Sequence, residues 1–206
     1  MKRLFLLLTV VLLVVFSAGC TGPTDDKAKQ PDTEKKEPVS VEVRSREAIT
    51  ALKHDDMEKL ADMVHPDKGV RFTPYAYVNT DKDGGNLVFT AAQVRNFLND
   101  DKKYTWGYYD GTGEPIILTP AEYFNKFVYT ADFADAEKIN VNNTIGTGNA
   151  LENQFEVYPE ADIVEYYFSG FDEQYQGMDW QSLRLVFEKL DEKLYLVGII
   201  HNQWTI

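Results

Sequence analysis

The C-terminal part of the chain contains segments whose apolar spacing is typical of β-strands. In residues 183–188, Leu183, Leu185 and Phe187 share one face, with Arg184 and Glu188 on the other, as in a strand with one buried face. Further short apolar segments occur upstream at residues 139–145, 155–158 and 163–168. Strands this close together in sequence predict an antiparallel meander at the C-terminal end of the domain.

The last predicted strand, residues 194–200, is apolar at almost every position. Strict alternation would place Leu194, Leu196 and Ile200 on one face and Tyr195, Val197 and Ile199 on the other. We therefore expect both faces of this strand to be covered. A curved sheet with helices packed in its concave side would do so, and it would leave a pocket at its open end.

Helical patterns come before these strands. Residues 44–53 predict one helix, and a second is predicted to begin at a capping box formed by Asp55 and Glu58. Residues 70–78 are rich in β-branched and aromatic side chains and predict a strand. Helices first and strands last are the order of an α+β protein.

The strongest helix start in the chain is Thr119, Pro120 and Glu122, which supply an N-cap, a proline at the first helical position and an acid at the third. The predicted buried face of this helix is mostly aromatic and consists of Tyr123, Phe124, Phe127 and Val128. Together the patterns predict a single α+β domain over residues 44–206, with N-terminal helices packed on a strongly curved antiparallel sheet.

The N-terminal residues have the pattern of a signal sequence. Lys2 and Arg3 precede an apolar run, residues 4–16, which is interrupted only by Thr9 and is short for a membrane span. Ser-Ala-Gly-Cys at residues 17–20 then resembles a bacterial lipobox. The resemblance implies that residues 1–19 are removed and that the Cys20 thiol carries a diacylglyceryl group. An ordinary secretory signal or an uncleaved anchor with an incidental cysteine is the alternative.

A lipidated Cys20 would make the cell membrane the first partner of the protein and place the chain on its extracytoplasmic face. Residues 20–43 combine prolines with dense charges of both signs and contain almost nothing apolar before Val39. Such a segment has no core to offset its ordering entropy, so we expect a disordered tether. Its role would be to hold the domain away from the membrane.

Charge excludes one class of partner. The formal net charge is −12, and loss of Lys2 and Arg3 with the signal would change it to −14. Nucleic-acid binding depends on clustered basic residues, so no nucleic acid is expected as a partner. With Cys20 the only cysteine, the domain has no thiol left for a disulfide, and its core must hold it together alone.

Two further resemblances concern the domain. The order of elements, together with the helix-to-strand entry at residues 59–66 that ends in His65 and Pro66, resembles the NTF2-like, cystatin-related α+β cone. Residues 106–116 and 199–206 are similar to a group of uncharacterised bacterial lipoproteins. The first resemblance implies a fold that serves both enzymes and binding modules, and the second implies no activity.

The candidate pocket combines acidic and aromatic residues. Asp110 and Glu114 lie beside Trp106, Tyr108 and Tyr109, and aromatic faces next to carboxylates are typical of sugar sites. The alternative is an Asp-Gly turn with the aromatic rings in the core. The C-terminal residues His201 and Trp204 complete the candidate set, with His201 as a base if Asp132 or Glu165 lay within hydrogen-bonding reach.

The motifs of cofactor and metal enzymes are missing from the sequence. None of the three histidines has zinc-site spacing, and there is no nucleophile elbow or phosphate-binding glycine loop. Asp81 and Asp83 suggest a calcium loop, but Asn86 and Ala92 stand where an EF-hand requires glycine and glutamate. We expect no cofactor and no metal.

Three functions fit this sequence. The leading one is a non-enzymatic, membrane-anchored domain that binds a small molecule, a glycan or a protein at the cell surface. The second is an NTF2-like pocket enzyme, such as a hydrolase or isomerase, that uses His201 or the pair Asp110 and Glu114. The third is a scaffold protein of an envelope complex.

Overall fold

The computed structural model describes residues 39–83 and 85–205. The signal sequence, Cys20 and most of the predicted tether lie outside the described residues. Within them, no helix has the length and apolar character needed to cross a membrane.

Helix α1 spans Val41–Lys53 and buries the face that carries Ala48, Ile49 and Leu52. It begins at Ser40, whose hydroxyl accepts a hydrogen bond from the Val43 amide at 3.4 Å. The prediction of a helix here is confirmed. The tether was predicted to extend to Val43, but the last three of those residues form the first turn of α1, because Ser40 supplies the cap.

The other helices are short. They are α2 (Met57–Ala61), α3 (Ala91–Arg95), α4 (Pro120–Tyr123), which continues as a π-helical turn over Phe124–Val128, and α5 (Gln154–Val157). Single 3₁₀ turns lie at Phe97–Asn99, Phe133–Asp135 and Glu173–Tyr175. The strands are β1 (Val70–Thr73), β2 (Val88–Phe89), β3 (Tyr104–Tyr108), β4 (Pro115–Leu118), β5 (Lys138–Val141), β6 (Asp162–Phe168), β7 (Gln181–Leu190) and β8 (Lys193–Gln203).

Six of these strands form one sheet in the order β2-β1-β8-β7-β6-β5. The meander from β5 to β8 is antiparallel, and β1 joins the sheet parallel to β8. The α+β class and the mostly antiparallel sheet are therefore confirmed. The strong curvature is not: the sheet is open and not strongly curled. Side chains cover both of its faces, which suits a layered arrangement better than a cone.

A β-bulge in the central strand pair decides which residues share a face. Val186 pairs with Gly198 but Phe187 pairs with Leu196, so Val197 is the extra residue. Leu196, before the bulge, and Ile199, after it, both point into the main core, which also contains the buried face of α1. On the opposite face, Val197 and Ile200 belong to a second core with Val78, Tyr158, Ile163 and Val186. The predicted covering of both faces is confirmed, whereas the strict alternation is wrong after the bulge.

Three other predicted elements change at their ends or in type. The strand predicted at residues 70–78 stops at Thr73, because Pro74 has no amide hydrogen to donate to a ladder. The predicted capping box of Asp55 and Glu58 is wrong: the cap of α2 is Asp56, whose carboxylate accepts from the Lys59 amide at 3.0 Å. The strand predicted at residues 155–158 is instead the single helical turn α5. A short apolar segment such as this one is compatible with either a strand or a helical turn.

Strands β3 and β4 pair with each other as a separate antiparallel hairpin. Trp106 in β3 is fully buried in the main core and stacks on Tyr123 of α4 with ring centroids 3.8 Å apart. Its indole Nε1 donates to the Leu118 carbonyl at 2.9 Å, which ties the two strands together. The hairpin is thus held by a core tryptophan, and its tip is free to form one wall of a cavity.

Candidate functional site

A cavity of about 580 Å³ lies where three segments of the domain meet. These segments are the one that follows β1, the end of β3 at the hairpin, and the loop that precedes α5. The lining combines tyrosines, asparagines, one carboxylate and a few apolar side chains: Pro74, Tyr75, Tyr77, Asn79, Asn86, Gly107, Tyr108, Tyr109, Asp110, Asn149, Ala150 and Leu151. Its volume is within the range usual for small-molecule sites.

Asn86 is the most rigidly held polar group of this lining. Its side chain is 9% exposed, and Oδ1 accepts a hydrogen bond from the Asn79 amide at 2.7 Å. This bond fixes which end of the amide carries the donors, because only the oxygen can accept. The other end, Nδ2, lies beside Gly107, where an added Cβ would stand 3.9 Å from it. Asn86 therefore presents an oriented N–H₂ group next to the cavity.

Gly107 is required at this point of the hairpin. Its φ of +136° is one that other residues rarely adopt, and it lies where the β3–β4 register shifts. A side chain at this position would also project toward Pro74 and Asn86. The glycine therefore keeps the space in front of the Asn86 amide open.

Aromatic rings provide much of the wall. Tyr77 and Tyr108 are 52% and 56% exposed, so their ring faces are available to a bound molecule. Tyr75 packs edge-on against Phe127 at a centroid distance of 5.6 Å, which anchors it to the core. Burial raises the pKa of the Tyr75 hydroxyl, so this group stays protonated at neutral pH and can both donate and accept.

One carboxylate lines the cavity, and one ammonium contacts a tyrosine of the lining. Asp110 contributes a carboxylate, of which one oxygen accepts from the Gly111 amide at 3.1 Å. The ammonium of Lys126 binds the Tyr109 hydroxyl at 2.9 Å and lies 4.6 Å from the centre of that ring. The Lys126 ammonium therefore already contacts Tyr109, the residue that precedes Asp110 in the sequence.

A buried ion-pair network holds the loop that supplies Asn149, Ala150 and Leu151. Arg184 of β7 is 1% exposed and donates through Nε to Glu165 at 3.0 Å. Its Nη2 donates to the Gly146 carbonyl and to Glu152, both at 2.9 Å. Gly146 and Glu152 flank the cavity-lining residues, so Arg184 fixes both ends of this wall to the sheet.

His201 lies behind the cavity rather than in its lining. It is fully buried, and its Nδ1 donates to the Pro74 carbonyl at 3.1 Å, which fixes the tautomer because a carbonyl can only accept. Burial lowers the pKa of His201 to about 4. Neither acid considered for it is its partner, since Asp132 binds Lys53 and Tyr129, and Glu165 binds Arg184.

The structure brings together three of the seven residues predicted to form the pocket. Tyr108, Tyr109 and Asp110 line the cavity. Glu114, by contrast, is exposed at the far side of the hairpin turn, where its carbonyl accepts from the Tyr109 amide. Trp106 is in the core and His201 lies beneath the wall.

Trp204, the remaining predicted residue, belongs to a different and smaller cavity. It lines about 240 Å³ of space together with Met178, Asp179, Trp180, Gln181 and Gln203. The predicted pocket is therefore divided between two places, and the larger cavity holds the acidic and aromatic cluster of the hairpin.

The sequence analysis did not identify the asparagines and the other tyrosines of the cavity. Asn86 was considered only as a mismatch to the EF-hand pattern, and Asn79 and Asn149 were not singled out. The available signal was the pair Tyr75 and Tyr77 ahead of the turn, because asparagine is common in turns and by itself indicates no binding role. Among the described residues, no group of three or more His, Cys, Asp or Glu side chains could hold a metal ion.

Comparison with known proteins gives no family. No protein-family model matches the chain, and no curated protein matches it. Among solved structures, a DUF4783 family protein from Bacteroides ovatus is 9% identical, with a TM-score of 0.31 over 83% of this chain and 100% of that one. A protein from Xanthomonas campestris described as a calcium/calmodulin-dependent protein kinase II association domain is 13% identical, with a TM-score of 0.31 over 76% of this chain and 79% of that one.

An NTF2-like designed protein is similar to the same degree, with 10% identity and a TM-score of 0.29 over 76% of this chain and 91% of that one. TM-scores of 0.31 or less do not decide a fold or a function. The class of this protein therefore rests on its own topology, which is that of an α+β domain with a mostly antiparallel sheet.

Proposed function

We propose that the domain is a non-enzymatic binding module whose site is the cavity of about 580 Å³ at the hairpin tip. The observation that carries this proposal is the oriented amide of Asn86, held by the Asn79 amide and left open by Gly107. A donor fixed in this way at the wall of an aromatic cavity is what a ligand site requires for specificity.

The composition of the wall supports binding more than catalysis. Its described lining includes one carboxylate, Asp110, and no histidine. The hydrolase or isomerase alternative would need a second group to exchange a proton with the substrate, and Glu114 and His201 are both outside this lining. The scaffold alternative is supported by a different surface, where Phe171, Tyr175 and Met178 are each about half exposed.

We also propose that the protein is a lipoprotein, anchored through a diacylglyceryl group on Cys20 at the extracytoplasmic face of the cell membrane. The spacing of the basic residues, the apolar run and Ser-Ala-Gly-Cys supports this. The tether between Cys20 and Ser40 would then hold the cavity clear of the lipid headgroups, which suits a module that captures soluble or wall-bound molecules.

For the fold, we propose a distant relationship to the NTF2-like, cystatin-related group. The long N-terminal helix α1, packed on an antiparallel meander, supports this.

The proposal can be tested with full-length protein purified in detergent and screened by thermal shift against a library of sugars, amino acids, nucleosides and amines. At least one compound should raise the melting temperature of the wild type and of Tyr175→Ala, but not that of Tyr108→Ala. Tyr175 is the matched control because it is 49% exposed and lies outside the cavity lining. Unchanged binding by Tyr108→Ala, or no binder in the whole library, would contradict the proposal.

A further inference from the structure

We infer that the cavity selects neutral, polyhydroxylated molecules of the saccharide class over cationic or anionic ligands of similar size. This inference rests on the proposed function, because it assigns a ligand class to the same site. Three features of the wall lead to it: the balance of charge, the arrangement of hydrogen-bonding groups and the exposed rings.

The charge balance disfavours ions of either sign. An anion would have to approach the Asp110 carboxylate, which lines the cavity in an acidic protein of net charge −12. A quaternary ammonium ligand would prefer the tyrosine faces, but the Lys126 ammonium already lies 4.6 Å from the centre of the Tyr109 ring. A neutral molecule avoids both the repulsion of an anion by Asp110 and the competition of a cation with Lys126 for the Tyr109 ring.

The wall offers both donors and acceptors. Asn86 presents Nδ2 as a donor of fixed orientation, and Asp110 presents carboxylate oxygens as acceptors. The tyrosine hydroxyls and the side-chain amide of Asn149 can serve in either sense, whereas Oδ1 of Asn79 already accepts from the Asp81 amide at 2.8 Å. A hydroxyl group both donates and accepts, so a ring that carries several hydroxyls can satisfy such a wall, whereas an amine or a carboxylate satisfies only half of it.

The exposed rings supply the remaining requirement. Sugar rings have one face made mainly of C–H groups, and they pack that face on an aromatic ring while their hydroxyls point outward to polar groups. Tyr77 and Tyr108 are more than half exposed and line the same cavity as the three asparagines. Aromatic platforms and amide groups therefore surround one space.

The test uses the full-length protein in detergent and saturation-transfer NMR with three probe sets: neutral mono- and disaccharides, choline, and glucuronate. At least one neutral saccharide should bind and should outcompete both ions. Asn86→Asp keeps the acceptor for the Asn79 amide but removes the donor, and we expect it to weaken saccharide binding about tenfold. Tyr108→Ala should abolish the signal.

Two matched controls separate a lost contact from a change of fold or of net charge. Asn99→Asp makes the same substitution at an exposed position outside the cavity lining, and Tyr175→Ala removes an exposed tyrosine elsewhere. Both should bind as the wild type does. Circular dichroism on every variant identifies any that fails to fold, and Tyr108→Ala still decides the outcome if Asn86→Asp is lost.

The inference is overturned if choline or glucuronate binds more tightly than every saccharide, or if saccharide binding survives Tyr108→Ala. Its failure differs from failure of the proposed function. If an ion or an apolar library compound binds and is lost in Tyr108→Ala, the cavity is a ligand site but the saccharide assignment is wrong. If no probe and no library compound binds, both are wrong.

Discussion

Arg184 shows how one buried residue can position the loop, residues 146–152, that forms part of the cavity wall. It is almost completely buried and binds two carboxylates and one carbonyl, so its charge is compensated on several sides. A buried ion pair adds little net stability compared with an apolar packing, but removing one partner leaves the other charge buried without compensation. The role of Arg184 is therefore to fix the position of residues 149–151 in the cavity wall.

Replacing Arg184 with alanine should lower the free energy of unfolding by about 3 to 5 kcal/mol, because Glu165 would keep its burial and lose its cation. Urea unfolding followed by circular dichroism measures this. Lys189→Ala is the control on the same strand, since its ion pair with Glu192 is exposed and should contribute little. Equal effects of the two substitutions would show that the buried network is not structurally important.

His201 makes stability depend on pH. Its pKa is lowered from 6.5 to about 4 by burial, so the unfolded chain binds a proton in the interval between these values while the folded chain does not. The free energy of unfolding is therefore not reduced by His201 at neutral pH, and it decreases as the pH falls from about 6.5 toward 4. Between pH 7 and pH 5 the loss should be about 2 kcal/mol.

The pH effect can be isolated with His201→Gln, which retains a donor for the Pro74 carbonyl but does not titrate. Urea unfolding at pH 7 and pH 5 should show a smaller loss of stability for the variant than for the wild type. The same loss in both proteins would assign the pH dependence to carboxylates instead.

At the scale of elements, caps and turn chemistry could be predicted from sequence, whereas strand partners could not. The Thr119 hydroxyl accepts a hydrogen bond from the Glu122 amide, and the Glu122 carboxylate accepts one from the Thr119 amide, as the local sequence predicts. The parallel pairing of β1 with β8 and the separation of the hairpin β3–β4 depend on contacts between segments far apart in the chain. Local patterns contain no information about these.

Thr119→Ala should lower the free energy of unfolding by about 1 kcal/mol, because α4 would lose the acceptor for its first turn. Chemical denaturation measures the change. Thr147→Ala is a suitable comparison, since Thr147 is exposed in a loop and caps no helix. If both substitutions leave stability unchanged, the cap contributes nothing to the fold.

The site itself was only partly predictable for the same reason. Tyr108, Tyr109 and Asp110 are adjacent in sequence, so their chemistry could be recognised there. Asn86 and Leu151 reach the same cavity only because β1 joins the sheet and the Arg184 network fixes the loop. Trp106 was assigned to the pocket because it shares the aromatic run, but it is buried in the core, and the register shift between Thr105 and Tyr108 separates it from the cavity-lining Tyr108.

At the scale of the whole molecule, we propose an acidic α+β domain carried by an N-terminal lipid anchor. The anchor would concentrate the cavity near the cell surface without requiring the domain to bind the membrane itself. The domain would be positioned by the tether and would need only its own core for stability.

Cys20→Ala should abolish incorporation of a lipid label and release the protein from the membrane fraction, because the thiol is the only group that can carry the diacylglyceryl chain. Metabolic labelling with an alkyne fatty acid, followed by fractionation of bacterial cells that express each form, measures both effects. Thr24→Ser lies in the predicted tether, keeps the whole Ser-Ala-Gly-Cys motif and serves as the control. Labelling that persists in Cys20→Ala would rule out the lipoprotein assignment.

The most direct test of the central claim is to map the bound ligand on the domain. Full-length protein labelled with ¹⁵N would be titrated in detergent with the compound that gives the largest thermal shift. We predict that the amide signals of residues 107–110 and 149–151 shift together and saturate at one affinity, since both segments line the same cavity. Shifts centred instead on Met178, Gln203 and Trp204 at the smaller cavity would contradict the account.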